Sequence, residues 1–297
     1  MSSADTAVKV FRTLEPEDFR LLQVIEAEMA RHRYVPENEL PKLTKLTSRE
    51  LDFRLPRLSK FGLIERWPGP YTGYVLHTAG YDCLAVNALV KAEVLEAFGN
   101  PIGVGKESDV YDALTPKGRK VAVKFHRLGR ISFRQTRRLR GYVAQRHHIS
   151  WLYQSRLAAE KEFEALKLLY PRDVAVPEPI NQNRHVVVMG MIEGALLAAF
   201  KELPNPRKTL NEILTNVQRA YVKAGIIHAD LSEFNIIIQP DWHILIIDWP
   251  QYVRKEHPNA EELLERDIRN VIHFFERKFK GTLSTKDAVD YVKHNSK

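Results

Sequence analysis

Residues 225–251 read GIIHADLSEFNIIIQPDWHILIIDWPQ, and two short apolar runs stand out within them, Ile236–Ile238 and Ile244–Ile247. Both runs are rich in β-branched residues, which favour the extended backbone of a strand. Runs of this length and composition predict short buried strands. The stretch therefore predicts a pair of strands with polar residues at its ends.

Three of these polar residues have side chains suited to a divalent cation. Asp230 and Asn235 precede the first strand, and Asp248 follows the second. Mg²⁺ prefers oxygen ligands, and phosphate oxygens can complete its octahedron. The D-x-x-x-x-N spacing followed by an Asp at a strand end is that of the base and metal ligands of protein kinases. Asp alone is common in turns, but the three residues together, with His228 just before Asp230, favour catalysis.

Composition limits the kind of protein. The chain has 297 residues, of which 44% are hydrophobic and 28% charged, and its formal net charge is +8. It has room for one large domain or about two to three small ones. The single cysteine, Cys83, excludes an intramolecular disulfide. Because neither an apolar run of about 18 residues nor a signal peptide is present, we expect a cytoplasmic protein.

The first 90 residues or so predict a winged-helix domain. Apolar residues recur at helical spacing in Glu15–His32, and Glu37–Leu46 is expected to form a second short helix. Thr47 begins a third helix, with a glutamate three residues later as in a capping box. The stretch LIERWPGPYTGYVLHT, residues 63–78, then predicts a β-hairpin.

The third helix of a winged helix can enter the major groove of a nucleic acid. Its positive residues here favour such a contact: Arg49, Arg54, Arg57 and Lys60. A domain that docks proteins or serves as a scaffold, with an ordinary charged face, is the alternative. Residues 79–99 are predicted to form a helix that links this domain to the next.

A glycine turn between two strands follows, with the sequence IGVGKESDVY. Its two glycines allow backbone to approach a phosphate without an intervening Cβ, and its serine hydroxyl can donate to a phosphate oxygen. A simple hairpin turn is the alternative. The residues predicted to bind nucleotide here are Gly103, Gly105, Lys106, Glu107 and Ser108.

A lysine and a glutamate are expected to act with this turn. Lys124 ends the VAVK strand, a pattern that delivers a phosphate-binding lysine in kinases. Glu162, on a helix over residues 151–170, is the preferred partner of that lysine, and Glu160 is its competitor. The alternatives are that Lys124 is a surface lysine and that both glutamates are helix carboxylates facing solvent.

A predicted strand at 185–191 leads into a hinge between lobes. Met189 is expected to back an adenine pocket. The carbonyl of Gly190 and the N–H of Ile192 are expected to hydrogen-bond the adenine edge.

Residues 126–148, HRLGRISFRQTRRLRGYVAQRHH, contain seven arginines and no acidic residue. Such sparse apolar content predicts a mobile, exposed loop. Arginines with interleaved aromatics suit phosphates and unstacked bases, so we expect an RNA-contact or regulatory loop; a solvated linker is the alternative. Ser132 is a candidate site of self-phosphorylation.

The motifs GVGKESDVY, VAVKFHRLG, HADLSEFN and IDWPQ together resemble the RIO family of atypical serine/threonine protein kinases, and the preceding winged helix resembles its second subfamily, in the archaeal form. The resemblance implies Asp230 as catalytic aspartate, Asn235 and Asp248 as magnesium ligands, and Lys124 with Glu162 as an ion pair. It also implies that Asp248 can carry phosphate transiently.

By the same resemblance, we expect an α+β fold in which a winged helix precedes a bilobal kinase-like domain with a small β-rich lobe and a larger helical lobe. The expected boundaries are 1–90 for the winged helix, a linking helix to about 99, and 100–297 for the kinase domain, divided into N-lobe 100–188, hinge 189–194 and C-lobe 195–297.

The expected cofactors are ATP and Mg²⁺, with Mn²⁺ as an alternative ion. The resemblance implies a serine/threonine kinase/ATPase in maturation of the small ribosomal subunit, with the subunit precursor and its rRNA as partners; action mainly as an ATPase is the alternative. Ala229, Trp249 and Pro250 depart from the H-R-D and D-F-G motifs of ordinary protein kinases. A small-molecule phosphotransferase of the aminoglycoside or choline type is the second hypothesis, and a DNA-binding regulator that senses nucleotide is the third.

Overall fold

The computed structural model describes residues 2–105, 107–128, 151–281 and 283–294. The chain divides into two compact units: residues 1–157 with 182–186, and residues 158–181 with 187–297. Within the described ranges, no helix is both long and apolar enough to cross a membrane.

The first unit begins with the predicted winged-helix domain. Strands β2 (Ile64–Pro68) and β3 (Thr72–Leu76) form the hairpin, and β1 (Val35–Pro36) pairs with the other edge of β3. Apolar side chains from the helices and the hairpin share one core. The elements are α1 Ser3–Phe11, α2 Pro16–Glu28, β1 Val35–Pro36, α3 Leu40–Thr44, α4 Ser48–Lys60, β2 Ile64–Pro68, β3 Thr72–Leu76 and α5 Thr78–Lys91.

Helix α4 begins at the predicted capping box. The Glu50 N–H donates to Thr47 Oγ1 at 3.3 Å, and the Glu50 carboxylate accepts the Thr47 N–H at 2.8 Å. These two bonds satisfy backbone donors that the helix leaves unpaired. The helix then continues through Pro56 to Lys60.

Two helices differ most from the sequence prediction. Helix α1 was not predicted. The linking helix was expected to reach Gly99, but α5 ends at Lys91 and a strand begins at Ala97. Glu93 has a left-handed backbone (φ 56°), and the Val94 N–H donates to the Leu89 carbonyl at 3.0 Å. This closure is typical of a helix C-terminus.

The positive residues of α4 are not all available to a nucleic acid. Arg54 is buried and donates to Asp18 at 2.9 Å, and Arg57 donates to the other oxygen of Asp18 at 3.1 Å. Arg54 also pairs with Glu15 at 2.8 Å. The nucleic-acid contact expected of Arg54 is therefore wrong, because its guanidinium group is buried and paired inside the domain. The contact expected of Arg57, which is half-buried, stays a prediction.

Three further strands of the first unit, β4 Ala97–Val104, β5 Ser108–Leu114 and β6 Lys120–His126, pair antiparallel within one sheet. Residues 182–186 extend it, since the His126 N–H donates to the His185 carbonyl at 2.9 Å. Arg127, expected in an exposed loop, is buried instead. Residues 129–150, which include Ser132, lie outside the described residues.

The second unit contains most of the remaining helices and two small antiparallel sheets. In the first sheet, Ile236–Ile238 (β11) lies between Ile244–Ile246 (β12) and Ala195–Leu196 (β9); in the second, Ile226–Ile227 (β10) pairs with Val253–Arg254 (β13). A π-helical turn, Ala220–Ala224, ends at Gly225, whose left-handed backbone forms the C-cap. The remaining elements of the chain are α6 Trp151–Leu169, β7 Pro179–Asn183, β8 Val186–Gly190, β9 Ala195–Leu196, α7 Pro206–Arg219, β10 Ile226–Ile227, β11 Ile236–Ile238, β12 Ile244–Ile246, β13 Val253–Arg254, α8 Ala260–Phe279 and α9 Thr285–His294.

Candidate active site

The predicted strand pair is present and brings two candidate metal ligands together. Ile236 lies opposite Ile246 in the antiparallel ladder. Beyond the assigned strands, the Ile247 N–H donates to the Asn235 carbonyl at 2.9 Å. Asn235 and Asp248 therefore lie at the same end of the β11–β12 pair, as the sequence predicts.

Asp230 is exposed, in a loop whose backbone is held by a carboxylate from α8. Asp267 accepts the Ala229 N–H at 2.7 Å with one oxygen and the Leu231 N–H at 3.1 Å with the other. The Arg266 guanidinium donates to the Ala229 carbonyl. The peptide groups on both sides of Asp230 are thus fixed, which restricts where its carboxylate can point.

The carboxyl group of Asp267 is itself perturbed by its surroundings. Burial raises its pKa to about 6, against the two backbone N–H donors and the Arg266 charge, which lower it. The nearby Asp230 charge adds to the increase. Near neutral pH Asp267 is therefore ionised, the form in which both of its oxygens accept.

Asn235 is oriented by a neighbour in the same loop. The Ser232 hydroxyl donates to Asn235 Oδ1 at 2.9 Å, and the Asn235 N–H donates to the Ser232 carbonyl at 3.0 Å. An amide oxygen has two lone pairs, so this bond leaves one for a cation. The Asn235 oxygen and the Asp248 carboxylate are hard donors, and this donor set fits Mg²⁺.

Backbone strain occurs at two positions next to these side chains. Ala229 and Asp248 have left-handed backbones, with φ of 63° and 70°. Residues with a Cβ rarely adopt this conformation, and it costs on the order of 1–3 kcal/mol when the surroundings impose it. Such strain is frequent at functional sites, and here it sets the directions in which Asp230 and Asp248 leave the backbone.

His228 connects the loop to the strand that precedes Asp248. Its Nε2–H donates to the Ile247 carbonyl at 3.0 Å, and its ring lies 4.5 Å from the Trp249 ring. Nδ1 is buried and has no hydrogen-bond partner among the described residues. Burial lowers the pKa of His228, so the imidazole is neutral. These contacts give His228 a positioning role.

The glycine turn belongs to the first unit and joins β4 to β5. The Gly105 N–H donates to the Ser108 carbonyl at 2.8 Å, and the Glu107 carbonyl accepts the Arg127 N–H at 2.6 Å. Gly103 pairs with Val110 across the hairpin. Lys106 lies outside the described residues. The turn is exposed at Gly103, Gly105 and Glu107, with Ser108 half-buried.

Burial decides between the alternatives for the predicted ion pair. Lys124, paired with Val110 across β5 and β6, is only 7% exposed, which contradicts a surface lysine. Glu162 on α6 is 2% exposed, whereas its competitor Glu160 is half-buried. Glu162 therefore remains the preferred partner, and its pairing with Lys124 stays a prediction.

The predicted hinge residues lie at the end of β8 and just after it. Met189 and Gly190 are buried and Ile192 is half-buried. The Gly190 N–H donates to the Glu178 carbonyl at 2.8 Å. The N–H is therefore used within the protein, and the prediction that the Gly190 carbonyl bonds the adenine edge is unaffected. Gly194 has φ of 119°, and a Cβ there would collide with the Ile238 carbonyl. Only glycine fits this position without strain.

Three residues of α8 that support the Asp230 loop were missed from the sequence. They are Arg266, Asp267 and Asn270, whose amide donates to the Leu231 carbonyl at 3.1 Å. One signal was available: Asp267 lies beside Ile268 on the apolar face of an amphipathic helix. A carboxylate at such a position must find hydrogen-bond donors, although the sequence does not say which.

Comparison with known families gives the assignment. A family model described as RIO domain matches residues 109–288, more than half of the chain. The chain belongs to the RIO family. A second model, described as Rio2, N-terminal, matches residues 11–92. The RIO family and its winged-helix subfamily, both predicted above, are thereby confirmed.

Individual RIO proteins resemble the chain over most of its length. A RIO-type serine/threonine-protein kinase Rio2 from Methanocaldococcus jannaschii is 46% identical over 254 residues, covering 84% of this chain and 92% of the relative. The Schizosaccharomyces pombe serine/threonine-protein kinase rio2 is 40% identical over 273 residues, covering 92% of this chain and 79% of the relative. The Chaetomium thermophilum Rio2 kinase, solved as an ADP/Mg²⁺-phosphoaspartate complex, matches with a TM-score of 0.83 and 35% identity, covering 97% of this chain and 90% of that one.

These matches confirm the expected fold, in which a winged helix is followed by a kinase-like RIO domain with a β-sheet lobe and a helical lobe. They also confirm the enzyme class, an atypical serine/threonine kinase. The RIO assignment is favoured over the small-molecule phosphotransferase.

Proposed function

We propose that this RIO protein transfers the γ-phosphoryl group of ATP in a magnesium-dependent reaction. The observation that carries the proposal is the backbone bond between Ile247 and Asn235, which sets Asn235 and Asp248 side by side at one strand end. In the proposal, Asn235 and Asp248 hold the cation. When bound, Mg²⁺ neutralises charge that develops on the transferred phosphoryl group.

Asp230 is proposed to orient or deprotonate the acceptor. Its loop, residues 228–235, is called the catalytic loop below. The bonds from Asp267 to Ala229 and Leu231 support this role, because a catalytic carboxylate must be held in a defined direction. Positioning and electrostatics supply most of the catalysis in phosphoryl transfer.

The nucleotide-binding residues are proposed in two groups. The turn residues Gly103, Gly105, Lys106, Glu107 and Ser108 take the phosphates, with Lys124 paired to Glu162. Met189, Gly190 and Ile192 take the adenine. The burial of Lys124 and Glu162 supports the ion pair, since buried charged side chains need partners.

Asp248 is also proposed as a transient phosphate carrier. Its carboxylate attacks the γ-phosphorus and ADP leaves; water then hydrolyses the acyl phosphate and releases inorganic phosphate. The phosphoaspartate and ADP/Mg²⁺ named for the Chaetomium thermophilum relative support this step. The left-handed backbone at Asp248 holds the side chain in a direction that an ordinary strand would not give.

The domain boundaries, location and partners are proposed on the same basis. We propose a winged-helix domain over residues 1–90 and a kinase domain over 100–297; the family models, which match 11–92 and 109–288, support that division. The small ribosomal subunit precursor and its rRNA are the proposed partners, in the cytoplasm. The net charge of +8 supports an RNA partner, because basic surfaces attract phosphate backbones.

Incubation with γ-labelled ATP and Mg²⁺, with and without immature small-subunit particles, tests the proposal. We expect label that is released by hydroxylamine, as for an acyl phosphate, in the wild-type chain but not in Asp248→Asn. Asp241→Asn, in the exposed turn between β11 and β12, is the matched control and should retain the label. Absence of any magnesium-dependent ATP consumption by the wild type, with or without particles, would contradict the proposed function.

A further inference from the structure

A buried cluster of four charged or titratable side chains lies in the first unit, and the proposed mechanism does not use it. The Arg127 guanidinium donates to both oxygens of Asp82, at 2.7 and 3.0 Å, and to Asp109 at 3.0 Å. His185 lies 2.6 Å from the same Asp82 carboxylate. All four residues are buried, and Arg127 is 2% exposed.

The cluster is held together mainly by its one arginine. Burial alone would raise the pKa of Asp82, but the Arg127 charge and the His185 hydrogen bond hold it below its usual range. Burial lowers the pKa of His185, and its Nδ1 has no partner in the described part of the chain. His185 is therefore a neutral imidazole that donates from Nε2 to Asp82. Without Arg127, two carboxylates would be buried with little compensation, which is unfavourable.

The four residues come from different parts of the sequence. Asp82 lies on α5, in the region that matches the Rio2 N-terminal model. Asp109 lies on β5, Arg127 follows β6, and His185 precedes β8; all three fall in the region that matches the RIO domain. The Arg127 side chain thus joins the last helix of the winged-helix domain to two strands of the RIO domain: β5, which carries Asp109, and β6, which Arg127 itself follows.

Those two strands carry the residues assigned above to the phosphates. Asp109 directly follows Ser108, and Arg127 is three residues beyond Lys124. The Arg127 N–H also donates to the Glu107 carbonyl at 2.6 Å, inside the glycine turn. Both the backbone and the side chain of Arg127 therefore hold the end of the turn, and its side chain is in turn held by Asp82.

We propose that Arg127 is a positioning residue that fixes the glycine turn to helix α5, so that the winged-helix domain sets the affinity of the turn for nucleotide phosphates. The inference rests on the proposed function, in which the turn binds the phosphates of ATP. It gives the winged-helix domain a role in nucleotide binding in addition to any contact with RNA.

The decisive variant is Asp82→Asn, which keeps the shape of the side chain and removes the charge that holds Arg127. We expect the KM for ATP to rise about tenfold with kcat nearly unchanged, because the turn binds phosphates in the ground state as well as in the transition state. Arg127→Lys keeps the buried charge but loses the forked geometry, and its KM should rise by a smaller factor. If Asp82→Asn does not fold, Arg127→Lys decides alone.

The chain offers a matched control in the same domain. Asp18 is also fully buried and is also bonded to two arginines, Arg54 and Arg57, and among the described residues these bonds do not reach the glycine turn. Asp18→Asn should lower stability while leaving the KM for ATP unchanged. An equal rise in KM in Asp18→Asn and Asp82→Asn would overturn the inference, because it would mean that general destabilisation weakens nucleotide binding.

Hydrogen exchange in nucleotide-free protein separates this inference from the proposed function. The Gly105 and Arg127 amides, both bonded within the turn, should exchange faster in Asp82→Asn than in the wild type and in Asp18→Asn. If these amides exchange faster in Asp82→Asn but the wild type does not consume ATP, the coupling between helix α5 and the glycine turn stands and the proposed function is refuted. Unchanged exchange and unchanged KM in a variant of an active enzyme would refute the coupling alone.

Discussion

The catalytic loop and the glycine turn differ in what holds their backbones. Around Asp230, a buried carboxylate from α8 binds the amides on both sides, and His228 ties the loop to the strand before Asp248. The described part of the glycine turn is exposed at Gly103 and Gly105, and backbone bonds hold its base. A side chain that acts on one atom needs a fixed direction, whereas backbone that wraps phosphates needs open space above it.

Replacing the catalytic carboxylate should have the largest effect. Asp230→Ala should lower turnover by about 10²- to 10⁴-fold, the range typical of general acid–base groups. ATP binding should remain, because Asp230 is assigned to the acceptor and not to the nucleotide. Single-turnover ATP cleavage and nucleotide titration measure the two quantities separately. A variant that cleaves ATP at the wild-type rate rules out this role for Asp230.

Loosening the catalytic loop without touching Asp230 should have the next largest effect. Asp267→Asn keeps the shape of the side chain, but its NH₂ group would face one of the two backbone N–H groups. We expect kcat to fall about tenfold to a hundredfold, the equivalent of one charge-assisted hydrogen bond, with a smaller change in the KM for ATP. If kcat is unchanged, the loop does not depend on Asp267 for its geometry.

The same variant should show a pH signature in stability. The pKa of Asp267 in the folded chain, about 6, lies above its ordinary value of 3.8, so the folded state binds the proton more tightly. The free energy of unfolding of the wild type, relative to Asp267→Asn, should therefore fall as pH rises from about 4 to about 6 and stay flat above. The total change is on the order of 3 kcal/mol. Urea titrations of both proteins across this pH range measure it, and parallel curves would contradict the assigned pKa.

The smallest effect is expected in the glycine turn. Among the described residues, a Cβ at Gly103 would meet only the Val110 side chain, at 4.0 Å, and the backbone of Gly103 does not require glycine. Gly103→Ala should therefore leave the unfolding temperature nearly unchanged while raising the KM for ATP about fivefold, since the methyl group would occupy space assigned to phosphate. If Gly103→Ala has the same KM for ATP as the wild type, the phosphates do not lie near residue 103. The contrast between the catalytic loop and the glycine turn would then lose support.

Local patterns in the sequence predicted much of the site. The β11–β12 pair, its Asp and Asn residues and the capping box of α4 all follow from neighbouring residues. Their physical causes act over a few positions, through propensity, capping and turn geometry.

Features that depend on distant partners could not be predicted in this way. Asp267 was missed because the backbone amides that donate to it lie 36 and 38 residues earlier in the sequence. Arg127 was placed in an exposed loop because its neighbours are basic, and its acidic partners come from other elements. Arg54 was assigned to nucleic acid for the same reason, since Asp18 lies 36 residues earlier.

The indole of Trp249 has a spectroscopic consequence. It is 1% exposed, donates to the Ile246 carbonyl at 3.1 Å and immediately follows Asp248. Trp151 and Trp242 are 37% and 47% exposed, and Trp67 is partly exposed, so the bluest share of the intrinsic emission should come from Trp249. The chain thus contains its own fluorophore beside the proposed cation ligands, and occupancy of that position can be followed optically without a label.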